Sequence, residues 1–485
     1  MTSIKTSLAY NTANNILRIV FPLITAPYVT RVLSPDDLGL FAFASSYAGY
    51  FAVFAVLGIP YYGAREIAKV RDDIQKTSWL FSELFSIGLM VTAVVSLIYM
   101  ASIALFDRFS QHEALFVLLG ATLYCSPFNI DWFYGGLENF KHITIRSMVI
   151  KIASMLLLFT CVRDQDDLLY YAFISVFSTV ASDVWNFVVL YRAGYKVSFC
   201  FHGLKRHVKP LLLLFVSTVA VSIYTILDRL MLGFMSAYEQ VAFYSYAMEI
   251  SKVLLSVIVS LSAVAIPRVS YYLETRQYLE IERFINKSCA LVVFFAVPIC
   301  IGLIMSSPTL VPLFLGSAFQ ESVLPLQILS LLLILIGLNN LFAVQCLVAL
   351  GYDKLFLFSV LGGTITNFLL NDLLIPYWGA IGASISSAIA EFCVLVMSYY
   401  YVQRYTQLNI GVKREYVVTV VTACLFIPLY VILAGFIDGW LLILCFVLLA
   451  VPVYLGIQFY AKNSILLLLI DLIQNKYYHI KKIRS

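Results

Sequence analysis

The sequence contains fourteen apolar stretches of about twenty residues, separated by short clusters of charged residues, Gly and Pro. An α-helix needs about 20 mostly apolar residues to cross the hydrocarbon core of a bilayer. A soluble domain cannot bury so many of them, because its exterior must be largely polar. Apolar residues make up 61% of the 485 and charged residues 12%, against about 45–50% and about 25% in globular proteins. The chain is therefore predicted to be an all-α integral membrane protein.

The predicted spans have the following approximate limits: 10–30, 38–60, 79–105, 114–133, 145–162, 168–191, 210–234, 241–266, 288–306, 323–350, 355–374, 379–401, 416–436 and 439–460. The distribution of Lys and Arg tests this count, because a missed helix would invert every later loop. With the N-terminus inside, the inner segments hold 25 of the 32 cations, and the outer loops hold only Arg31, Arg108 and Arg163. The pattern predicts fourteen spans with both termini cytoplasmic. Polar residues in the first stretch argue against a cleavable signal peptide.

Several classes of function lack support in the residues. The nine cysteines lie singly in or beside apolar runs, so neither a disulfide framework nor a metal site is predicted. The net charge of +5 is explained by the topology of the loops, and no nucleic-acid partner is expected. We identify no catalytic motif and no cofactor beyond a coupling Na⁺ or H⁺.

Four cations remain inside the predicted spans, where each ionisable group costs about 2.5–3.5 kcal/mol on insertion scales. Arg18 lies roughly 12 Å into the first span, and Asn11 and Asn15 share its helical face. This polar stripe predicts a water-filled cavity that binds an anion. The alternative is an arginine that extends to the inner interface. Lys151 is a second candidate ligand, although it too is near enough to the inner end of its span to reach the interface.

Two adjacent predicted spans carry the other charges. Asp228 and Arg229 lie near the outer end of the seventh span, and Glu249 and Lys252 form an i,i+3 pair in the eighth. Arg229 and Lys252 are candidate substrate ligands, and Asp228 and Glu249 are candidate coupling or gating groups. An ion pair across the two helices explains all four equally well.

Two carboxylates occupy the middle of spans with no cation nearby in sequence. Asp183 lies in the sixth span and Glu391 in the twelfth. A carboxylate in the membrane can bind a proton or Na⁺ to offset the cost of its burial, so both are predicted coupling groups. The alternative is a protonated carboxyl that is hydrogen-bonded to a neighbouring helix.

A weak internal repeat suggests how the spans are grouped. Gly136 and Gly351 each lie two positions before an acidic residue, and they precede the fifth and the eleventh span respectively. Two similar halves around a site at the midplane are a common transporter arrangement, although chance similarity between apolar segments is also common. The predicted division is an N-terminal bundle over 1–209, a second bundle over 210–408, and two further helices with a basic amphipathic cytoplasmic tail over 409–485. Residues 267–287 are predicted to form an amphipathic surface helix.

Four segments together resemble the Wzx-type polysaccharide flippases of the MOP exporter superfamily. They are NTANNILRIVFPLITAPYVTRVLSPDDLGLFAF (11–43), DWFYGGLENFKHITIRSMVIKI (131–152), LDRLMLG (227–233) with IPRVS (266–270), and TNFLLNDLLIPYWGAIGASISSAIAE (366–391). The specific signal is their order and spacing, which extend over nearly the whole chain.

The resemblance implies two pseudo-symmetric six-helix bundles around a central cavity, with two extra C-terminal helices. It also implies transport of an undecaprenyl-diphosphate-linked oligosaccharide from the cytoplasmic to the periplasmic leaflet of the bacterial inner membrane, for O-antigen, capsule or exopolysaccharide assembly. A polysaccharide polymerase and a chain-length regulator are further expected partners. A diphosphate needs buried cations, which favours Arg18, Lys151 and Arg229.

Three other functions remain open at this point. A lipid-linked peptidoglycan precursor flippase and a multidrug antiporter share the implied architecture. A drug antiporter more typically uses acidic and aromatic groups for cationic drugs, whereas the cation in the first span favours an anionic substrate. A membrane glycosyltransferase, polymerase or ligase would need a sizeable catalytic loop, and the outer loops are too short to hold one.

Overall fold

The computed structural model describes residues 4–200, 203–262, 269, 271–272, 274–275, 277–406, 408, 410–411 and 414–471. Within these ranges, the side chains of some helical positions lie outside the description, including those of Asn11, Asn15 and Arg18. The described residues are nearly all helical and include no β-strand. The predicted all-α class is confirmed.

Nine α-helices lie before residue 236: α1 (Ile4–Val32), α2 (Pro35–Val56), α3 (Ile59–Val70), α4 (Ile74–Leu105), α5 (Glu113–Tyr124), α6 (Asp131–Gly136), α7 (Phe140–Cys161), α8 (Leu168–Arg192) and α9 (Lys205–Met235). The later α-helices are α10 (Tyr238–Ser262), α11 (Tyr278–Leu315), α12 (Val323–Leu329), α13 (Leu332–Asn339), α14 (Asp353–Tyr405), α15 (Arg414–Cys424), α16 (Phe426–Ala434) and α17 (Gly439–Tyr460). A π-helical segment, Asn340–Val348, continues α13.

Each predicted span overlaps one or more of these helices. Among the described residues, eleven helical segments are long and apolar enough to cross a bilayer. The helices α1 and α9 are not among the eleven, but they contain 29 and 31 residues. The number fourteen stays a prediction.

One of the eleven segments reverses direction within itself. In α14, Gly379 has φ 50° and ψ −125°, a left-handed conformation that glycine tolerates best. A Cβ placed on Gly363 would lie 2.3 Å from the Val394 side chain, whereas a straight helix would separate these residues by about 46 Å. α14 is therefore a hairpin of two antiparallel arms, in agreement with the predicted boundary between 374 and 379.

The predicted surface helix over 267–287 is wrong in its second half. From Tyr278 the chain forms α11, a single helix of 38 residues. Residues 278–287 therefore continue directly into an apolar segment long enough to cross the bilayer. At the C-terminal end, residues 464–471 are helical, and the remainder of the predicted basic tail, 472–485, lies outside the described residues.

The chain divides into two compact units, Met1–Ala242 and Phe243–Ser485. The predicted three-part division at 209 and 408 stays a prediction. In the first unit, α2 packs against α4, α5 and α9, while α1 packs against α7 and α7 against α8. The buried ring of Phe43 on α2 lies 5.8 Å from Phe116 and 5.0 Å from Phe234 between ring centroids. These edge-to-face contacts hold α9 against α2 and α5.

Two glycines allow α2 to approach closely the end of α9 and the start of α10. A Cβ on Gly39 would lie 1.7 Å from the Tyr238 carbonyl oxygen, and a Cβ on Gly233 would lie 2.0 Å from the Phe43 ring. The guanidinium of Arg108 donates a hydrogen bond to the Gly233 carbonyl. This end of α9 is therefore fixed by backbone contacts that larger residues would prevent.

In the second unit, α11 packs against α13, α15 and α17. The Tyr454 hydroxyl on α17 donates to the Phe294 carbonyl of α11 at 2.7 Å, and Tyr430 on α16 shares a 2.6 Å hydrogen bond with Thr309. The last helices are thereby attached to α11. The second arm of α14 buries small residues, which favour close helix packing: Ala380, Gly382, Ala383, Ser384, Ser386, Ser387, Ala388 and Ala390.

Candidate functional site

Lys151 lies where α7 packs against α1. Its ammonium group donates a hydrogen bond to the Leu17 carbonyl at 3.2 Å and lies 5.5 Å from the centroid of the Phe21 ring. Near the start of α7, Thr144 donates to the Tyr10 carbonyl at 2.9 Å. Lys151 is therefore placed against the helix that carries the predicted polar stripe, and the ring face stabilises its charge.

The other predicted ligands of α1 lie outside the described side chains. Asn11, Asn15 and Arg18 have helical backbones, and nothing further is described for them. Their neighbour Asn14 is described and is only 6% exposed. Its side-chain oxygen accepts no hydrogen bond from any described residue. A buried amide oxygen of this kind is uncommon and marks a position where a polar ligand or water would be stabilised.

The predicted charges of the seventh and eighth spans fall on α9 and α10. Asp228 is buried and Arg229 is half-buried near the end of α9, in the first unit. Glu249 is half-buried and Lys252 is exposed on α10, in the second unit. Their assignments as ligands, coupling groups or members of an ion pair stay predictions.

Asp183 lies on α8, at an apolar cavity of about 600 Å³ that is also lined by Phe128, Val184 and Phe187. The residue is 3% exposed, and its Oδ2 accepts no hydrogen bond among the described residues. An ionised carboxylate is costly in such surroundings. The position therefore favours a bound proton or cation, which is what a coupling group requires.

Glu391 has different surroundings. It is buried in the second arm of α14, and its carboxylate accepts a hydrogen bond from the side-chain amide of Asn339. The same amide donates to the Glu391 backbone carbonyl at 3.1 Å. Asn339 immediately precedes the π-helical segment, and π-helical turns are frequent at functional sites. The predicted coupling role stays a prediction, and the alternative of a carboxyl bonded to a neighbouring helix has a defined partner.

A partly buried ion pair joins α6 and α7, and Arg146 was not among the predicted site residues. Arg146 donates to both carboxylate oxygens of Asp131, at 2.5 and 3.1 Å, and its side chain is 5% exposed. Asn186 of α8 donates to the same carboxylate at 2.9 Å, and His142 lies 3.1 Å from the Asn186 side-chain oxygen. This network ties three helices together.

A second buried network was also missed. Glu83 on α4 is fully buried and accepts a hydrogen bond from the Arg206 guanidinium, and its Oε2 lies 3.1 Å from His207 Nε2. His207 Nδ1 lies 2.8 Å from the Tyr62 hydroxyl of α3. The only signal in the sequence was an acidic residue within a predicted span, because its partners are more than 120 residues away.

No group of three or more His, Cys, Asp or Glu side chains that could hold a metal ion occurs among the described residues. The expectation that the chain has no resident metal or cofactor stays a prediction.

These helices, with ionisable side chains inside them, define a polytopic α-helical membrane protein. Its fold is that of solved flippase and transporter structures. A structure of the lipid II flippase MurJ in an inward closed conformation matches with a TM-score of 0.78 and 15% identity, over 94% of this chain and 100% of the other. An inward-facing multidrug resistance MATE family transporter of the MOP superfamily gives 0.61 and 13%, over 83% and 98%. At these identities the likeness concerns the fold.

The chain belongs to the polysaccharide biosynthesis protein family, whose model matches residues 4–273. The model of the lipid II flippase MurJ family matches residues 144–453, which places the chain in that family as well. A relative from Escherichia coli (strain K12), named "Putative O-antigen transporter", is 25% identical over 77% of this chain and 91% of its own length. The resemblance to Wzx-type flippases of the MOP superfamily is confirmed.

Proposed function

We infer that this protein is a flippase for lipid-linked oligosaccharides. In the proposed reaction, it moves undecaprenyl-diphosphate-linked repeat units from the cytoplasmic to the periplasmic leaflet by alternating access, for O-antigen, capsule or exopolysaccharide assembly. The observation that carries the proposal is the match, over most of both chains, to a relative named as an O-antigen transporter. The flippase fold of MurJ supports the same type of movement.

The chemistry of the first unit suits an anionic head group. Lys151 places an ammonium group against α1, and Arg18 belongs to the same helix. Together they would supply the two cations nearest to a diphosphate, and the arginine could contact it in a bidentate manner. Arg229 and Lys252 are further proposed ligands, with Asn11 and Asn15 contacting hydroxyl or phosphate oxygens.

The proposed setting is the bacterial inner membrane, with both termini in the cytoplasm. The excess of Lys and Arg in alternate loops supports this orientation. We propose that the chain has no enzymatic activity of its own and holds no resident cofactor. The polymerase and the chain-length regulator of the same assembly pathway would receive its product.

Coupling to a proton or Na⁺ gradient is proposed to use Asp183. Its buried oxygen at an apolar cavity is the observation that favours it over Glu391, whose carboxylate has a hydrogen-bond donor in Asn339. Asp228 and Glu249 are proposed gating groups.

The test is complementation of a bacterial strain that lacks its own flippase but makes the lipid-linked repeat unit. Wild-type protein is expected to restore surface polysaccharide, and the empty vector is expected to leave repeat units on the cytoplasmic face. Arg18→Ala should complement less well than Arg18→Lys, because the lysine keeps the positive charge. Failure of the purified protein to move any fluorescent lipid-linked sugar in liposomes, under any gradient, would sink the proposal.

A lipid-linked peptidoglycan precursor is the second candidate substrate, because the MurJ family model covers more than half of the chain. The two substrates share the undecaprenyl-diphosphate group and differ in the sugar. Depletion of MurJ in a strain that expresses this protein separates the two functions. Continued growth would support the peptidoglycan substrate, whereas lysis together with restored surface polysaccharide would support the oligosaccharide.

A further inference from the structure

Three buried serines form one face of α4. Ser78, Ser82 and Ser86 are spaced four residues apart, so they stack along a single side of the helix. Ser82 donates its hydroxyl hydrogen to the Ser78 carbonyl at 2.8 Å, and Ser86 donates to the Ser82 carbonyl at 2.7 Å. A serine hydroxyl has one donor and two acceptor lone pairs. The lone pairs of this serine face remain available to another segment.

That segment is the linker between α8 and α9, of which residues 193–200 and 203–204 are described. The serine hydroxyls accept the backbone N–H groups of Lys196, Ser198 and Cys200 in order, at 3.2, 3.1 and 3.0 Å. Four residues of helix rise about 6 Å, and two residues of extended chain rise about 6.6 Å. The two spacings match, so every second amide of the extended linker meets the next serine.

The end of the linker is held by Glu83, which follows Ser82 on α4. Gly203 has φ +82°, and a Cβ on it would lie 2.7 Å from Glu83 Oε1. The carboxylate also accepts a hydrogen bond from Arg206 and contacts His207 Nε2 at 3.1 Å, and both residues lie in the first turn of α9. Only glycine combines this backbone conformation with this approach to the carboxylate. The linker and the start of α9 are therefore docked together on α4.

The start of the docked linker is packed against the hydrophobic core through Tyr195 and Val197, and the Tyr195 ring centroid lies 5.1 Å from that of Phe133. From Ser198 to Cys200, by contrast, the linker is held by backbone hydrogen bonds and buries little apolar surface. Lys196, Ser198 and Phe199 are exposed, and Phe199 is exposed by 73%. Segments held by hydrogen bonds with few buried apolar contacts open at a lower free energy than core helices. In the chain, α9 is also the last complete helix before the second unit. Release of the linker would free the start of that helix.

We propose that the serine face and Glu83 are a latch for the linker, which fixes the start of α9 and opens in every transport cycle. The proposal rests on the flippase function for its transport readout. The rival is a permanent brace, which would hold the same contacts throughout the cycle.

A cross-link tests whether the latch must open. Ser86→Cys places a thiol next to the native Cys200, and Ser96→Cys on the same helix is the control. After oxidation with copper phenanthroline, peptide mass spectrometry measures the disulfide between the introduced thiol and Cys200. Transport is measured in inverted membrane vesicles that contain the undecaprenyl-diphosphate-linked repeat unit. We expect at least a tenfold loss of transport in the oxidised S86C protein, full recovery with dithiothreitol, and no effect in S96C.

Two outcomes would overturn the proposal. Normal transport by fully cross-linked protein would establish a permanent brace, and failure of the two cysteines to join would contradict the docked register. Transport by the unoxidised protein reports separately on the flippase function, so loss of that function cannot be mistaken for loss of the latch.

Hydrogen exchange of the full-length protein measures the hydrogen bonds between the serine face and the linker amides without a transport assay. The double variant S82A/S86A should raise the exchange rates of the Ser198 and Cys200 amides at least tenfold, and S96A should leave them unchanged.

Gly203→Ala and Gly194→Ala form a matched pair, because both residues have positive φ but only Gly203 faces a neighbour within 4 Å. Exchange over 196–200 should rise in G203A and remain near the wild-type rate in G194A. Equal exchange in all four variants would contradict the latch.

Discussion

At the scale of single residues, Lys151 shows how a charge can be retained inside a spanning helix. Its ammonium group has a carbonyl oxygen and an aromatic face as partners in α1. These partners reduce the cost of burial without neutralising the charge. The lysine can therefore hold two helices together and still attract an anionic head group, and mutation can separate these roles.

We expect Lys151→Ala to lower the rate of flipping about tenfold or more, and Lys151→Arg to retain most of it, because arginine keeps the cation. The measurement is movement of a fluorescent lipid-linked sugar in proteoliposomes, together with the unfolding temperature of each variant. A purely structural role predicts that K151A would lose stability and activity in parallel, with no change in the dependence of the rate on substrate concentration.

The ion pair of Arg146 and Asp131 leads to a prediction about stability. Removal of one partner from a fully buried pair leaves an uncompensated charge and typically costs about 3–5 kcal/mol. The Asp131 side chain is 30% exposed, so water would partly solvate it and the expected cost for this pair is lower. Arg146→Ala should still lower the unfolding temperature clearly. Arg65→Ala is the control, because Arg65 is 58% exposed beside Glu66 and exposed pairs contribute about 0–1 kcal/mol. Similar unfolding temperatures for the two variants in detergent would contradict the partly buried pair.

At the scale of the elements, the sequence predicted where the helices lie but not which side chains meet. Spanning segments are recognisable because their hydrophobicity is summed over about twenty neighbouring residues. Pairs such as Glu83 and His207 depend on the packing of helices that are distant in sequence, and no local pattern encodes them. Neither Arg146 nor Arg206 was among the predicted site residues, and the structure places each beside a carboxylate of another helix.

The contact between α2 and the start of α10 predicts opposite effects for two glycines of α2. A Cβ on Gly39 would overlap the Tyr238 carbonyl, whereas a Cβ on Gly49 would meet nothing within 4 Å. Gly39→Ala should destabilise the protein by about 1–3 kcal/mol through overpacking. Gly49→Ala should be neutral, or stabilising by up to about 1 kcal/mol, because alanine favours the helix. Thermal unfolding of the two variants measures the difference, and equal shifts would show that α2 and the start of α10 separate readily at Gly39.

At the scale of the whole molecule, topology and composition constrain the membrane setting more strongly than they constrain the cargo. The proposed anionic ligand rests on Arg18, Lys151 and Arg229, and a diphosphate, an acidic sugar and a phospholipid would satisfy those charges equally well. The distinction depends on the shape of the bound sugar, to which many dispersed side chains contribute. For this reason the substrate class was accessible only through the resemblance of long segments to a family.

The source of energy for transport is the last property at this scale, and the two buried carboxyls give different expectations. A group that couples transport to an ion gradient must exchange its proton or Na⁺ during the cycle, so a fixed hydrogen-bond donor is a disadvantage. Asp183 Oδ2 has no donor among the described residues and lies at an apolar cavity, whereas Glu391 is bonded to Asn339.

We expect Asp183→Asn to transport at one rate whether or not a gradient is imposed, because a neutral amide cannot titrate or bind the ion. Glu391→Gln should keep the response to the gradient and lose stability instead. Flipping in proteoliposomes under a pH gradient, a Na⁺ gradient or neither distinguishes the two carboxyls. A D183N protein that still accelerates under the gradient would transfer the coupling role to another residue, and loss of the response in E391Q would identify Glu391 as that residue.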